Sequence, residues 1–114
     1  MKQLQWETEL SSALQTEKIL IVQFGAASYA PCHAICQKID AWTAVHPMVS
    51  ALYVPAETFG ALAAQLSIFT VPAILVYAEG KLTIRAGGYF SLEEIFAQIG
   101  RYETLLLYHI MFIV

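Results

Sequence analysis

The sequence predicts an α/β chain with a central mixed sheet of about four strands and helices on both faces. Three observations carry that expectation. The run Ile19-Leu20-Ile21-Val22-Gln23-Phe24 is β-branched and nearly continuous, as in a strand covered on both faces. A long helical stretch separates it from the next strand candidate, so those two strands must be parallel through a right-handed crossover. Farther on, two apolar strands are joined by a short turn at Ala78-Glu79-Gly80, which adds an antiparallel hairpin to the sheet.

The elements follow in order. Residues 6–16 place Trp6, Leu10 and Leu14 on one helical stripe with Ala13 beside them. After the strand at 19–24, Gly25-Ala26-Ala27-Ser28 forms a loop of small residues, and Pro31 stands where its missing N–H suits the first turn of a helix. That helix is expected to run to about Val45, because Pro47 disfavours the helical region at His46. Residues 49–54 read as a second strand and 57–66 as an alanine-rich helix. Residues 73–77 and 81–85 are the hairpin strands. Gly87-Gly88 ends the second of these, and Ser91 followed by Glu94 matches a capping box that opens the last helix.

At 114 residues, 58% hydrophobic and 13% charged, the chain has the length of one domain and the composition of a packed one. A formal charge of -3 and a pI near 5.5 provide no basic field for a phosphate backbone, so nucleic acid is excluded as a partner. Residues 1–7 lack the apolar run and cleavage site of an export signal, and two cysteines four apart do not form a secreted disulfide framework; a cytoplasmic setting is expected. Residues 105–114 are almost wholly apolar but too short to span a bilayer as a helix. We therefore divide the chain into a domain over 1–104 and an apolar extension over 105–114. Packing on the same chain and self-association into a homodimer are both open to that extension. Membrane attachment is disfavoured, since no Lys or Arg follows Arg101.

Residues 19–102 resemble the thioredoxin family. The resemblance rests on Val22-Gln23-Phe24-Gly25-Ala26 leading into Tyr29-Ala30-Pro31-Cys32, on Thr70-Val71-Pro72 before an apolar strand, and on Glu79-Gly80-Lys81 followed by Gly87-Gly88. It implies a Cys-Gly-Pro-Cys position at 29–32, a cis-proline at Pro72, and a shallow peptide groove edged by Tyr29, Ala30, Pro31, Val71, Pro72 and Gly88. Two departures follow. Tyr29 stands where the attacking cysteine belongs, and Gln23 stands where many members carry a buried acid that moves a proton to and from the inner thiol.

Thiol–disulfide exchange needs an exposed thiolate to attack and a second thiol to resolve the mixed disulfide. A phenol near pKa 10 does neither. The expected function is accordingly a thioredoxin-like protein with impaired dithiol chemistry, binding a protein or peptide partner or acting as a single-thiol adaptor through Cys32. The alternative is an active oxidoreductase using Cys32 alone or with Cys36. These two sit at i, i+4 on one helix face, their Cβ atoms about 5–6 Å apart, wider than a disulfide prefers. Cys32, His33 and Cys36 lack a further cysteine to complete a tetrahedral metal site, so neither metal nor cofactor is expected.

Overall fold

The computed structural model describes the backbone of residues 1–113 and the side chains through residue 111. Among the described residues nine elements follow one another: β1 (Lys2–Gln3), α1 (Glu7–Thr16), β2 (Ile19–Gly25), α2 (Ala30–Thr43), β3 (Val49–Pro55), α3 (Gly60–Gln65), β4 (Ala73–Ala78), β5 (Lys81–Gly87) and α4 (Leu92–Ile113). The sheet order is β1-β3-β2-β4-β5. β3 runs parallel to both β1 and β2, whereas β4 is antiparallel to β2 and to β5.

The continuous apolar run at 19–24 is explained by its place. β2 is the middle strand, buried at every residue, with its two faces feeding different cores. Leu20, Val22 and Phe24 pack with Leu10 of α1 and Leu62 of α3. Ile19 and Ile21 point the other way, to Ile39 of α2 and Ile95 and Ile99 of α4. By the same period-2 alternation, Gln23 falls on the α2 side.

Two features differ from the sequence reading, and a third was left open by it. The sheet has five strands rather than about four, because Lys2 and Gln3 pair with Leu52 and Tyr53. Two residues carry no periodicity that a sequence pattern could reveal. The helix expected over 57–66 is confined to Gly60–Gln65, since Thr58 and Phe59 both donate to the Pro55 carbonyl in a turn. The apolar extension continues α4 as helix through Ile113, for no Gly or Pro interrupts residues 101–113; Val114 lies outside the described residues. As the capping box anticipates, the Glu94 N–H donates to Ser91 Oγ at 3.2 Å. Glu79 and Gly80, at φ 50° and 80°, form the two-residue β4–β5 turn, a conformation glycine adopts without steric cost.

Candidate functional site

α2 begins over the carboxyl end of β2, with Tyr29 as its N-cap and Pro31 in its first turn. The Tyr29 N–H donates to the Ala26 carbonyl at 3.1 Å and the Cys32 N–H to the Tyr29 carbonyl at 3.0 Å, which ties the loop to the helix start. One turn of helix separates the two side chains in exposure. Tyr29 is 47% exposed, and Cys32 is 0% exposed. Ala30, the first helical residue, is exposed beside them.

Three neighbours enclose Cys32. Gln23, also fully buried, donates its side-chain N–H to the Cys32 carbonyl at 2.8 Å. Its Oε1 is buried with no hydrogen-bond partner among the described residues. From β3, Tyr53 sits in register with Gln23 and reaches over Gly25. A Cβ built on Gly25 would lie 2.7 Å from the Tyr53 hydroxyl and 3.1 Å from the Cys32 Cβ, so glycine there gives the phenol its place. Burial pushes the Tyr53 phenol up from its ordinary value, and the Cys32, Glu57 and Cys36 side chains push it further in the same direction.

Cys32 and Cys36 are both free thiols. Cys36 is partly exposed and opens onto a hollow of about 260 Å³ that it shares with His33, Tyr53 and Glu57, towards the β1/β3 edge of the sheet. Burial pushes its thiol up, and the Asp40 carboxylate adds to the effect, partly offset by the terminal amine. His33 points at the loop: its Nε2–H donates to the Ala27 carbonyl at 2.8 Å. Among the described residues, no three His, Cys, Asp or Glu side chains gather as metal ligands.

On the opposite flank of α2, towards β4 and β5, lies an open groove of about 850 Å³. Tyr29, Pro31, Pro72 and Gly88 meet at one end of it, and the Val71–Pro72 peptide bond is cis. Gly88 has φ 69°, a left-handed conformation suited to glycine. Val71, expected at the same rim, faces a separate hollow of about 460 Å³ with Ala26, Phe69 and Thr70. The groove continues between α2 and the first turns of α4, floored by Trp42 and Phe96, whose rings stack at 4.5 Å with 1° between their planes.

Trp42 is sandwiched, since His46 stacks on it at 3.6 Å. His46 Nδ1 in turn meets Glu103 Oε1 at 2.8 Å, joining the end of α2 to the middle of α4. The two residues are 57 apart in sequence, so the contact leaves no local trace there.

Sequence reasoning missed Tyr53 and the aromatic floor. Both leave a signal. Tyr53 falls on the α2-facing side of β3 by strand alternation, and Ile35, Lys38, Trp42 and Val45 form an i, i+3, i+7, i+10 stripe along α2.

No family model matches the chain. It is 24% identical over 81 residues to thioredoxin-1 of Schizosaccharomyces pombe, covering 71% of this chain and 79% of that protein. Against thioredoxin-1 of Saccharomyces cerevisiae the identity is 23% over 86 residues, covering 75% and 84%. Among solved structures, a mutant thioredoxin from Halobacterium salinarum superposes with a TM-score of 0.80 at 19% identity, over 90% of this chain and 89% of that one. Thioredoxin from Fasciola hepatica gives 0.78 at 23%, over 90% and 99%. The superpositions establish the fold.

Proposed function

We propose that this chain, which has the thioredoxin fold and is similar to thioredoxins, is a thioredoxin-family protein that acts by binding a protein partner in its groove, without dithiol exchange. The observation that carries this reading is the separation of thiols from groove. Cys32 is fully buried, and Cys36 opens towards the β1/β3 edge, on the other flank of α2 from the groove. A peptide laid along Tyr29, Pro72 and Gly88 meets a phenol where exchange needs a thiolate.

Gln23 supports the same reading. A neutral amide neither takes nor returns a proton at physiological pH, so the buried thiol has no acid–base partner at that post. The groove offers aromatic faces, two prolines and few charges, the lining that receives an extended apolar segment.

A single-thiol adaptor would have to work through Cys36, since Cys32, the thiol expected for that role, is enclosed on all sides. A cytoplasmic setting remains part of the proposal. Among the described residues no helix is long and apolar enough to cross a membrane.

The test pairs two assays on the natural chain: reduction of a disulfide substrate, and binding of extended apolar peptides followed by chemical-shift changes. Background reduction together with shifts at Tyr29, Trp42 and Gly88 is expected. Reduction at a rate typical of dithiol enzymes would overturn the proposal.

A further inference from the structure

Among the described residues that line the groove, two are charged: Lys38 on the α2 wall and Glu93 in the first turn of α4. Both are exposed, and neither forms an ion pair or a side-chain hydrogen bond with another described residue. Asp40, two residues beyond Lys38, is held by the Met1 amine at 2.8 Å. Glu103, farther along α4, is matched by His46. A groove otherwise apolar and aromatic thus carries one cation and one anion without side-chain partners.

The helices fix where these two stand. α2 and α4 both begin near the end of the groove where Tyr29, Pro72 and Gly88 meet, and they run in the same direction, meeting first at Trp42 and Phe96 and then at His46 and Glu103. Lys38 precedes Trp42 by four residues, about 6 Å of helix, and Glu93 precedes Phe96 by three, about 4.5 Å. The two charges therefore lie at nearly one level on facing walls, a turn closer to Tyr29 than the stacked rings are. They do not pair with each other, so a segment lying between them meets both.

We propose that the groove selects an extended apolar segment of a partner protein that carries an acidic and a basic residue next to each other, the acidic one facing Lys38 and the basic one Glu93. The inference rests on the docking function above and names the chemistry of its ligand. In an extended strand successive side chains point to opposite sides, and each residue advances about 3.3 Å. A segment running along the groove therefore presents one residue to the α2 wall and the next to the α4 wall. The offset between Lys38 and Glu93, about 1.5 Å of helix rise, is smaller than one such step, so the pair of charges must be adjacent in sequence. Residues on either side of that pair fall against Ile35, Leu92 and the Trp42–Phe96 stack, which call for apolar side chains. A segment with two like charges sets one of them against its own sign, and that repulsion is what discriminates between partners.

Four synthetic peptides test the selection: one apolar sequence with Asp-Lys, Asp-Asp, Lys-Lys or Asn-Gln at its centre, titrated into the natural chain, Lys38→Glu and Glu93→Lys and followed by chemical-shift changes. The natural chain is expected to favour Asp-Lys about fivefold over either like-charged peptide, the scale of an exposed ion pair, with the advantage shrinking as salt is added. Lys38→Glu should move the preference to Lys-Lys, and Glu93→Lys should move it to Asp-Asp, exchanges that a merely structural role for either residue would not produce. Both positions are exposed, so the melting temperature is expected to hold. Glu93→Gln repeats the test without reversing charge at the helix start, and should lose the discrimination against Asp-Asp. Equal affinity for all four peptides, or a preference that the charge reversals do not move, overturns this inference and leaves the docking function standing. Absence of shifts with every peptide overturns it too, whether the chain is a monomer or a dimer whose second copy fills the groove; in the monomer it removes the docking function as well.

Discussion

Gln23 donates its side-chain amide to the carbonyl of Cys32 over 2.8 Å, and both residues are wholly shielded from solvent. The bond pins the first turn of α2 to the central strand, so position 23 serves the architecture of the site while offering it no proton. Tyr29 sits one turn above, half exposed and turned to the groove. The helix start thus carries a phenol and an amide at the two positions where the thioredoxin resemblance implies an attacking thiol and an acid.

If the proposed function holds, placing a thiol and an acid at positions 29 and 23 should raise exchange chemistry in order. Tyr29→Cys is expected to raise disulfide reduction at least about tenfold over the natural chain, and Tyr29→Cys with Gln23→Asp to raise it again, since general acid–base catalysis is typically worth about a hundredfold or more. Gln23→Asp alone should leave the rate at background. A steady-state reduction assay on all four chains decides the order, and equal rates in the natural chain and Tyr29→Cys would contradict the role given to position 29.

The two thiols should separate by accessibility and by pH. In the folded chain Cys36 is expected to react with a thiol reagent and Cys32 only on unfolding, compared in Cys32→Ser and Cys36→Ser variants. Burial and then Asp40 raise the Cys36 pKa, so its labelling rate should still climb with pH above the ordinary thiol range of about 8.5. The sign for stability follows from the same shift. A folded pKa above the unfolded one gives a contribution present below the unfolded pKa and lost as pH rises through the folded one, so Cys36→Ser should flatten the alkaline fall in stability.

Trp42 anchors the groove floor between Phe96 and His46. Trp42→Ala removes both stacks and is expected to cost about 3 kcal/mol in urea unfolding, the lower end for loss of a large aromatic because the site is partly open. It should also abolish peptide binding in the groove. A loss under about 1 kcal/mol would mean the stack is incidental to stability.

Glu9 clasps the first strand to the first helix. Its carboxylate meets Lys2 Nζ at 2.9 Å and accepts the backbone N–H groups of Gln5 and Trp6 at 2.7 and 2.8 Å. The Lys2 hydrogen bond first, then these two, hold its pKa below the usual carboxylate value. A depressed folded pKa gives stability present above the unfolded pKa and lost as pH falls through the folded one. Glu9→Gln should therefore lower the melting temperature at neutral pH and make little difference in strong acid, measured by thermal melts across the acid range.

The parts of the fold visible in the sequence are those with strong periodicity or hard punctuation. β2 announces itself by a continuous apolar run, α2 by Pro31 and Pro47, and α4 by Ser91 and Glu94. β1 has two residues and exists only through its pairing with Leu52 and Tyr53, a tertiary fact with no local trace. The candidate groove was legible at Tyr29, Pro31, Pro72 and Gly88 through the resemblance to the thioredoxin family, and these four do line it. Its aromatic half was not, because Trp42 and Phe96 read equally well as core until the α2–α4 packing leaves them at a rim. Val71 shows the converse: adjacency in sequence to Pro72 did not put it in the same hollow.

The chain carries two tryptophans, and their settings differ in a way useful at the bench. Trp6 is 72% exposed at the start of α1, whereas Trp42 is clasped between an imidazole and a phenyl ring in the groove. Intrinsic fluorescence therefore has a built-in reference and a built-in reporter. An occupant entering the groove changes the emission of Trp42 while that of Trp6 stays constant, so binding can be followed without any added label.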